Sequence, residues 1–339
     1  MRSGPPVPPP AREPFTGGID HPALWLWDAW LAEAERSGAA GGLDLFTLAV
    51  SRTRQDGTPI PPAARDDHPF HVRRFRSVDG GESWRDLGAF LHPSAEGAAS
   101  HNVWSGGALR TDRLLFGFTG VRAPSPDRQY LQSICLAAAH AGIIDAAGAS
   151  LLSDPERDYD AIRGEGYFLG PRETLGSNAS EAGGPVMAWR DPYLLEDDGA
   201  LLAFWSAKVE AAVPAVAWGR VEREGEGFRL ATLLPPITLP DARSYTQAEV
   251  PKVYRVAEGW RMLVSSCDRI SEDQPPSEVT KALRLYAAEA LRGPWRPAYG
   301  EDSVVPDTEG LFGGALTDVG ADDALLIAPW SDLEPPHRA

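Results

Sequence analysis

Apolar residues in this chain gather in short runs, each broken by Gly, Asp or Pro before it reaches helical length. LDLFTLAVS (43–51) reads as a strand, and FHVRRFRS (70–77) alternates with the two-residue period of a half-exposed one. Three hairpins follow from apolar runs separated by turn residues. ALRTDRLLFGFTG (108–120) turns near Thr111, Asp112 and Arg113, and DPYLLEDDGALLAFWSAK (191–208) turns at Asp197, Asp198 and Gly199. VPKVYRVAEGWRMLVSS (250–266) turns at Glu258 and Gly259. One short helix is expected, in WLAEAERSG (30–38). Frequent hairpins with almost no amphipathic helix predict an all-β fold.

Gly- or Trp-flanked apolar segments lead into hairpins near Asp28, Trp104, Asp191, Glu249 and Phe312, with gaps of roughly 60 to 90 residues. That spacing suits five four-stranded blades, hence a five-bladed β-propeller with a central acidic funnel. Residues 19–339 are expected to form this one catalytic domain. The proline-rich start, residues 1–18, is expected to be a disordered or draped arm.

Composition narrows the picture. A net charge of −16 among 339 residues argues against nucleic-acid binding, which needs basic patches to neutralise phosphates. No stretch approaches the ~20 apolar residues of a membrane span, and the start carries no apolar secretory signal, so a cytoplasmic location is the default expectation. Cys135 and Cys267 sit in apolar runs and read as buried free thiols. Only three lysines occur, Lys208, Lys252 and Lys281. With the abundance of Ala, Gly, Pro and Arg, their scarcity reads as coding bias without functional weight. Eleven tryptophans serve equally as core or as flat platforms for sugar rings.

The chemistry resides in three strings that lie far apart: LWLWDAW (24–30), WRDPYLL (189–195) and YTQAEVPKV (245–253). Cleaving a glycosidic bond takes two carboxylates flanking it, often with a third acid gripping sugar hydroxyls. Asp28, Asp191 and Glu249 fill those roles if the fold brings them together. Each string has a plainer meaning on its own: a packed ring beside a turn, an ion pair closed by an edge proline, a solvated strand residue. SVDGGESW (77–84) fits the Asp-box pattern, a turn whose aspartate binds backbone amides while its tryptophan packs beneath. It is read as structural.

Taken in order, these strings resemble the levansucrase–inulosucrase family, the bacterial fructosyltransferases of glycoside hydrolase clan J. LWLWDAW resembles its V-W-D-S-W segment, VWSGGAL (103–109) its W-S-G-S-A segment and WRDPYLL its R-D-P-H segment. TQAEVPKVY (246–254) resembles D-E-I-E-R-P, CDRIS (267–271) a following His-Arg or Ser-Arg pair, and LRGPWRPAYG (291–300) a later F-G-P-Y segment. The resemblance implies a retaining β-fructofuranoside enzyme. Asp28 would be the nucleophile that forms a covalent fructosyl intermediate, Glu249 the general acid/base and Asp191 the transition-state stabiliser. Trp27 and Trp104 would wall the pocket, Arg190 would hold acids and sugar, and Ser105 would bond near the nucleophile. Arg269 would reach the leaving group or acceptor, with Gln247 beside it. The partners implied are a small sugar donor and acceptor. No cofactor and no metal are expected.

Such a mechanism wants carboxyls about 5–5.5 Å apart with unlike surroundings. The sequence suggests Asp28 kept charged beside Arg190, and Glu249 desolvated in the less polar run Ala-Glu-Val-Pro. Departures from the family cluster on the leaving-group side: Gln247 replaces a glutamate, Val250 an arginine, and Asp268 lies where some relatives have histidine. Gly107 replaces a small polar residue, and Leu31 a proline. Two alternatives stand beside this reading: an inverting arabinosidase or xylosidase on a related five-bladed scaffold, and a non-catalytic glycan-binding propeller.

Overall fold

The computed structural model describes residues 18–33, 42–139, 143–317, 319 and 325–329. The expected N-terminal arm, residues 1–18, lies outside them apart from Gly18.

The chain runs as successive antiparallel meanders. The first comprises β1 (Leu24–Glu33), β2 (Leu43–Ser51), β3 (His71–Ser77) and β4 (Arg85–Leu91). The second comprises β5 (Asn102–Arg110), β6 (Leu114–Arg122), β7 (Leu131–Ala138) and β8 (Ser150–Ser153). These two join into one sheet through a short parallel contact between their first strands, Ala32 to Ala108 and Glu33 to Leu109. Two short helices follow, α1 (Tyr159–Gly164) and α2 (Asn178–Gly183). The third meander is β9 (Arg190–Asp197), β10 (Ala200–Glu210), β11 (Val213–Glu224) and β12 (Gly227–Ile237). The fourth is β13 (Gln247–Val256), β14 (Gly259–Cys267), β15 (Lys281–Ala288) and β16 (Arg296–Pro297). A two-stranded ribbon, β17 (Ala315–Leu316) with β18 (Leu326–Ile327), comes last.

The hairpins expected at 108–120, 191–208 and 250–266 are β5–β6, β9–β10 and β13–β14, each with its turn at the expected residues. The helix expected over 30–38 is corrected: Trp30 to Glu33 continue β1, and 34–38 lie outside the described residues. Trp30, Leu31 and Ala32 are buried on successive positions; the first two pair with Phe46 and Leu45 of β2, and Ala32 with Ala108 of β5. A strand covered on both faces gives an unbroken apolar run that imitates a short helix. The Asp-box forms the β3–β4 turn, where Asp79 accepts from the Ser83 amide at 2.9 Å and the Ser77 hydroxyl at 2.7 Å.

Core clusters lie between neighbouring sheets. One, holding Trp30, Phe46, Phe90, Phe116 and Phe118, joins the first two meanders. Others join the second to the third around Trp189 and Trp205, and the third to the fourth around Phe204, Trp218 and Tyr286. Ala315 and Ile327 of the ribbon pack on Ala29, Leu31 and Phe75 of the first meander. Leu316 and Leu326 pack on Tyr254 and Leu263 of the fourth. First strands approach one another closely: a Cβ on Gly107 of β5 would lie 2.8 Å from the Tyr193 Cα of β9. Only glycine fits there. Cys135 and Cys267 are buried free thiols, as expected.

Candidate active site

The first strand of each four-stranded meander carries an irregularity at a similar place. The pairing slips between Trp27 and Ala29 on β1, between Trp104 and Gly106 on β5, opposite Phe204 to Ser206 on β9, and between Glu249 and Lys252 on β13. A bulge adds one residue and re-aims side chains, and such devices cluster beside functional sites. Asp28, Asp191 and Val250 adopt left-handed backbone there, with φ of 41°, 63° and 43°. For a β-branched valine this conformation is costly, and a surrounding structure must hold it.

The bulges connect Asp28 to Glu249 by a run of contacts. The Ser105 hydroxyl donates a short hydrogen bond to Asp28 Oδ2. The Ser105 carbonyl accepts from Thr119 Oγ1 at 3.1 Å, and that same hydroxyl oxygen accepts from the Asp191 amide at 2.7 Å. Asp191 Oδ2 then accepts from the Val250 amide at 3.2 Å and from Ser206 Oγ at 3.1 Å. Val250 is the neighbour of Glu249. Arg190, buried, donates to Glu249 Oε1 at 2.6 Å and Gln247 Oε1 at 3.2 Å, and its Nε lies 3.7 Å from Asp191 Oδ2.

Burial and neighbouring like charges act on Asp28 and Asp191. Burial pushes the Asp191 carboxyl up to about 7; Arg190 opposes the rise, and the charges of Glu249 and Asp28 add to it. Burial also raises the Asp28 carboxyl above the usual aspartate range, against the Ser105 hydrogen bond and with Glu249 adding to the rise. The cations that oppose this rise are Lys252 and Arg65. The expectation of Asp28 kept charged beside Arg190 is therefore corrected: burial raises its carboxyl, and the opposing cations are others. The guanidinium sits on Glu249, because β9 and β13 pack directly together and place Arg190 and Glu249 side by side. Burial works against the charge on Arg190, yet Glu249 and Asp191 outweigh it and raise its pKa.

The remaining predicted residues sit around this group. Trp27 is half-buried, edge-on to Phe70 with centroids 4.6 Å apart, and the Arg65 guanidinium lies over its ring at 4.6 Å. Trp104 faces Tyr130 at 6.5 Å, and its buried indole N–H has no hydrogen-bond acceptor among the described residues. Gln247 is buried and donates to the Arg269 carbonyl at 3.2 Å. The Arg269 guanidinium turns to Glu272, 3.2 Å from its carboxylate, and Glu272 in turn feels the charges of Arg190 and Glu249, so the pair borders the site.

Sequence reasoning missed Thr119, Ser206, Lys252, Glu181 and Lys208. Glu181 is buried near Arg190 with its carboxyl pushed up to about 7 by burial, and it accepts a long 3.4 Å bond from the Met187 amide. Lys208 is buried, donates to the Ala211 carbonyl at 3.0 Å and is lowered to about 8 by burial. A signal existed: two of the chain's three lysines, Lys208 and Lys252, stand inside apolar strand runs where a charge is expensive. Setting lysine scarcity aside as coding bias discarded it. Among the described residues no three His, Cys, Asp or Glu side chains are placed to hold a metal ion, and no helix is long and apolar enough to cross a membrane.

Bulged first strands deliver several acids to one place on this all-β scaffold. Solved structures resemble it. Bacillus subtilis levansucrase superposes with a TM-score of 0.62 at 14% identity, over 91% of this chain and 79% of that one. Inulosucrase from Halalkalicoccus jeotgali, bound to kestose, superposes with a TM-score of 0.62 at 20% identity, over 92% and 76%. A levansucrase variant complexed with sucrose gives 0.59 at 13% identity, over 91% and 79%. The chain thus has the fold of levansucrases and inulosucrase. No family model and no curated protein sequence matches it.

Proposed function

We propose that this protein is a retaining β-fructofuranoside-active enzyme, with its four meanders and the terminal ribbon as the blades of a five-bladed β-propeller around an acidic funnel. Asp28 attacks the anomeric carbon of the fructosyl unit and forms the covalent intermediate. Glu249 protonates the departing oxygen and then deprotonates the incoming water or sugar. Asp191 grips fructosyl hydroxyls and stabilises the oxocarbenium-like transition state. Trp27 and Trp104 wall the pocket, Ser105 orients Asp28, and Arg190 with Gln247 holds Glu249. Arg269 enters through its backbone and faces the leaving-group side.

One observation carries this reading. Three acids from three different first strands sit on bulges of unusual backbone, joined through Ser105, Thr119 and Val250, while one buried arginine is spent on Glu249. A structural ion-pair network would neutralise its acids; this one leaves Asp28 and Asp191 raised by burial. Kestose and sucrose complexes of proteins with this fold add support for a fructoside substrate. Sucrose incubation with separate measurement of glucose and fructose tests the proposal. Equal release means hydrolysis, glucose in excess means transfer to a sugar, and no release of either sugar removes sucrose as the donor.

A further inference from the structure

Asp28 and Glu249 are tied together a second time, by a shorter path on their other side. Ser265 of β14 is the cross-strand partner of Glu249 and is buried. Its hydroxyl oxygen accepts from the Gly313 amide at 2.8 Å. The Gly313 carbonyl in turn accepts from the Ala29 amide at 2.7 Å, and Ala29 is the residue after Asp28 on the bulge. Gly313 has φ of 63°, and a Cβ there would lie 2.2 Å from Asp28 Oδ1 and 2.9 Å from Asp28 Cα. Asp28 is therefore gripped on both faces, by the Ser105 hydroxyl on Oδ2 and by the Gly313 backbone on the side of Oδ1.

We infer that Ser265 and Gly313 form a positioning clasp that fixes the separation of the Asp28 and Glu249 carboxyls. The inference rests on the fructoside reading above. Neither residue presents a group to the sugar: Ser265 is buried with its hydroxyl oxygen turned to the Gly313 amide, and Gly313 has no side chain. Their contribution is distance. The separation of the two carboxyls decides whether Asp28 reaches the anomeric carbon directly or leaves room for a water. An error of about 1 Å in such placement costs on the order of a hundredfold in rate.

The experiment compares Ser265→Ala, Ser265→Thr, Gly313→Ala and a control, Ser266→Ala. Ser266 lies next along β14, accepts from Arg284 Nε at 2.8 Å and donates to the Ala282 carbonyl at 3.2 Å, with no path to Asp28. With sucrose, Ser265→Ala is expected to lower kcat about 30- to 100-fold with KM within threefold, and Ser265→Thr to restore kcat to within fivefold. Gly313→Ala should lose about a thousandfold or fail to fold, which Ser265→Ala guards against by adding no atoms. Ser266→Ala should lower Tm and leave kcat alone. A second readout needs no turnover: the Asp28 carboxyl, followed by carbon NMR as pH is varied, should titrate lower in Ser265→Ala than in wild type or Ser266→Ala. Loosening the clasp admits water to a group that burial now raises. If wild type cleaves no fructoside, the functional reading falls while this titration still decides the clasp. Equal kcat losses in Ser265→Ala and Ser266→Ala, or an Asp28 titration that does not move, would overturn it.

Discussion

Two buried aspartates, Asp44 and Asp191, show opposite ways of placing a carboxylate inside a β fold. Asp44 on β2 has no exposed side-chain surface and receives three arginines: Arg74 at 2.9 and 3.1 Å, Arg76 at 2.8 Å and Arg110 at 2.8 Å. Asp191 on β9 has one arginine at 3.7 Å, hydrogen bonds from Ser206 and Val250, and the charges of Asp28 and Glu249 nearby. The first arrangement neutralises its charge and serves the fold. The second holds a carboxyl in an environment that raises its pKa to about 7, a cost that chemistry explains and packing does not. Removing a residue of each kind should separate activity from stability.

The largest effects belong to the acids of the cluster. Asp28→Ala is expected to lower kcat at least about ten-thousandfold on any fructoside, with the fold intact by circular dichroism. Glu249→Gln should lose about a hundred- to ten-thousandfold on sucrose, since it can no longer move a proton. A donor whose aglycone leaves without protonation, such as a nitrophenyl fructofuranoside, should recover the first step in Glu249→Gln and not in Asp28→Ala. Equal losses with both donors would remove Glu249 from the acid role.

Asp191→Asn sharpens the contrast because activity and stability should move in opposite directions. Turnover is expected to fall about a hundred- to a thousandfold, while Tm at pH 8 rises. The folded carboxyl is raised to about 7 from an ordinary 3.8, so between those values the native state binds more protons than the unfolded one. Wild type therefore loses stability as pH climbs from about 4 to 7, and the loss is complete above that. Asp191→Asn removes this slope, so its gain over wild type is largest at pH 8 and little at pH 4. Glu181, also raised to about 7, tilts the profile in the same sense and leaves a residual slope in the variant.

Much of this contrast was legible in the chain. The three hairpins could be read because turn residues separate apolar runs, and Asp28, Asp191 and Glu249 because each sits where such a run starts or ends. The helix over 30–38 misled, because Trp30 to Ala32 are buried on both faces and lose the alternation that marks a strand. The partner of Arg190 was unreadable for a different reason. Whether a guanidinium meets Asp28 or Glu249 depends on which first strands abut, and strand packing leaves no local signature. Gly313 and Ser265 lie in unremarkable strings, and only the approach of the last ribbon to β1 and β14 gives them meaning.

Asp44→Ala tests the other half of the comparison. Removing one partner from a buried charge network leaves the remaining charges uncompensated, at about 3–5 kcal/mol. Arg74, Arg76 and Arg110 keep between a fifth and a third of their side-chain surface in water, so the lower end applies. Denaturant melts should show that loss, with kcat per folded molecule within threefold of wild type. A kcat that falls with stability intact would make Asp44 a functional acid.

The smallest effect is expected at the Asp-box, which separates an exposed carboxylate from both buried ones. Asp79 accepts from the Ser83 hydroxyl at 2.5 Å and its amide at 2.9 Å, and from Ser77; these bonds lower its carboxyl to about 2, the Ser83 hydroxyl foremost. The sign is opposite to that of Asp191. A depressed folded pKa adds stability above an ordinary 3.8, and that addition fades as pH falls towards 2. Asp79→Ala should therefore flatten the acid end of the stability profile, lower Tm slightly at neutral pH and leave turnover untouched. Trp84 would still pack beneath the turn, within 3.5 Å of where a Gly81 Cβ would sit, so the turn should persist without its aspartate. Loss of turnover in Asp79→Ala would mean that the outer edge of the first meander reaches the acids at its inner one.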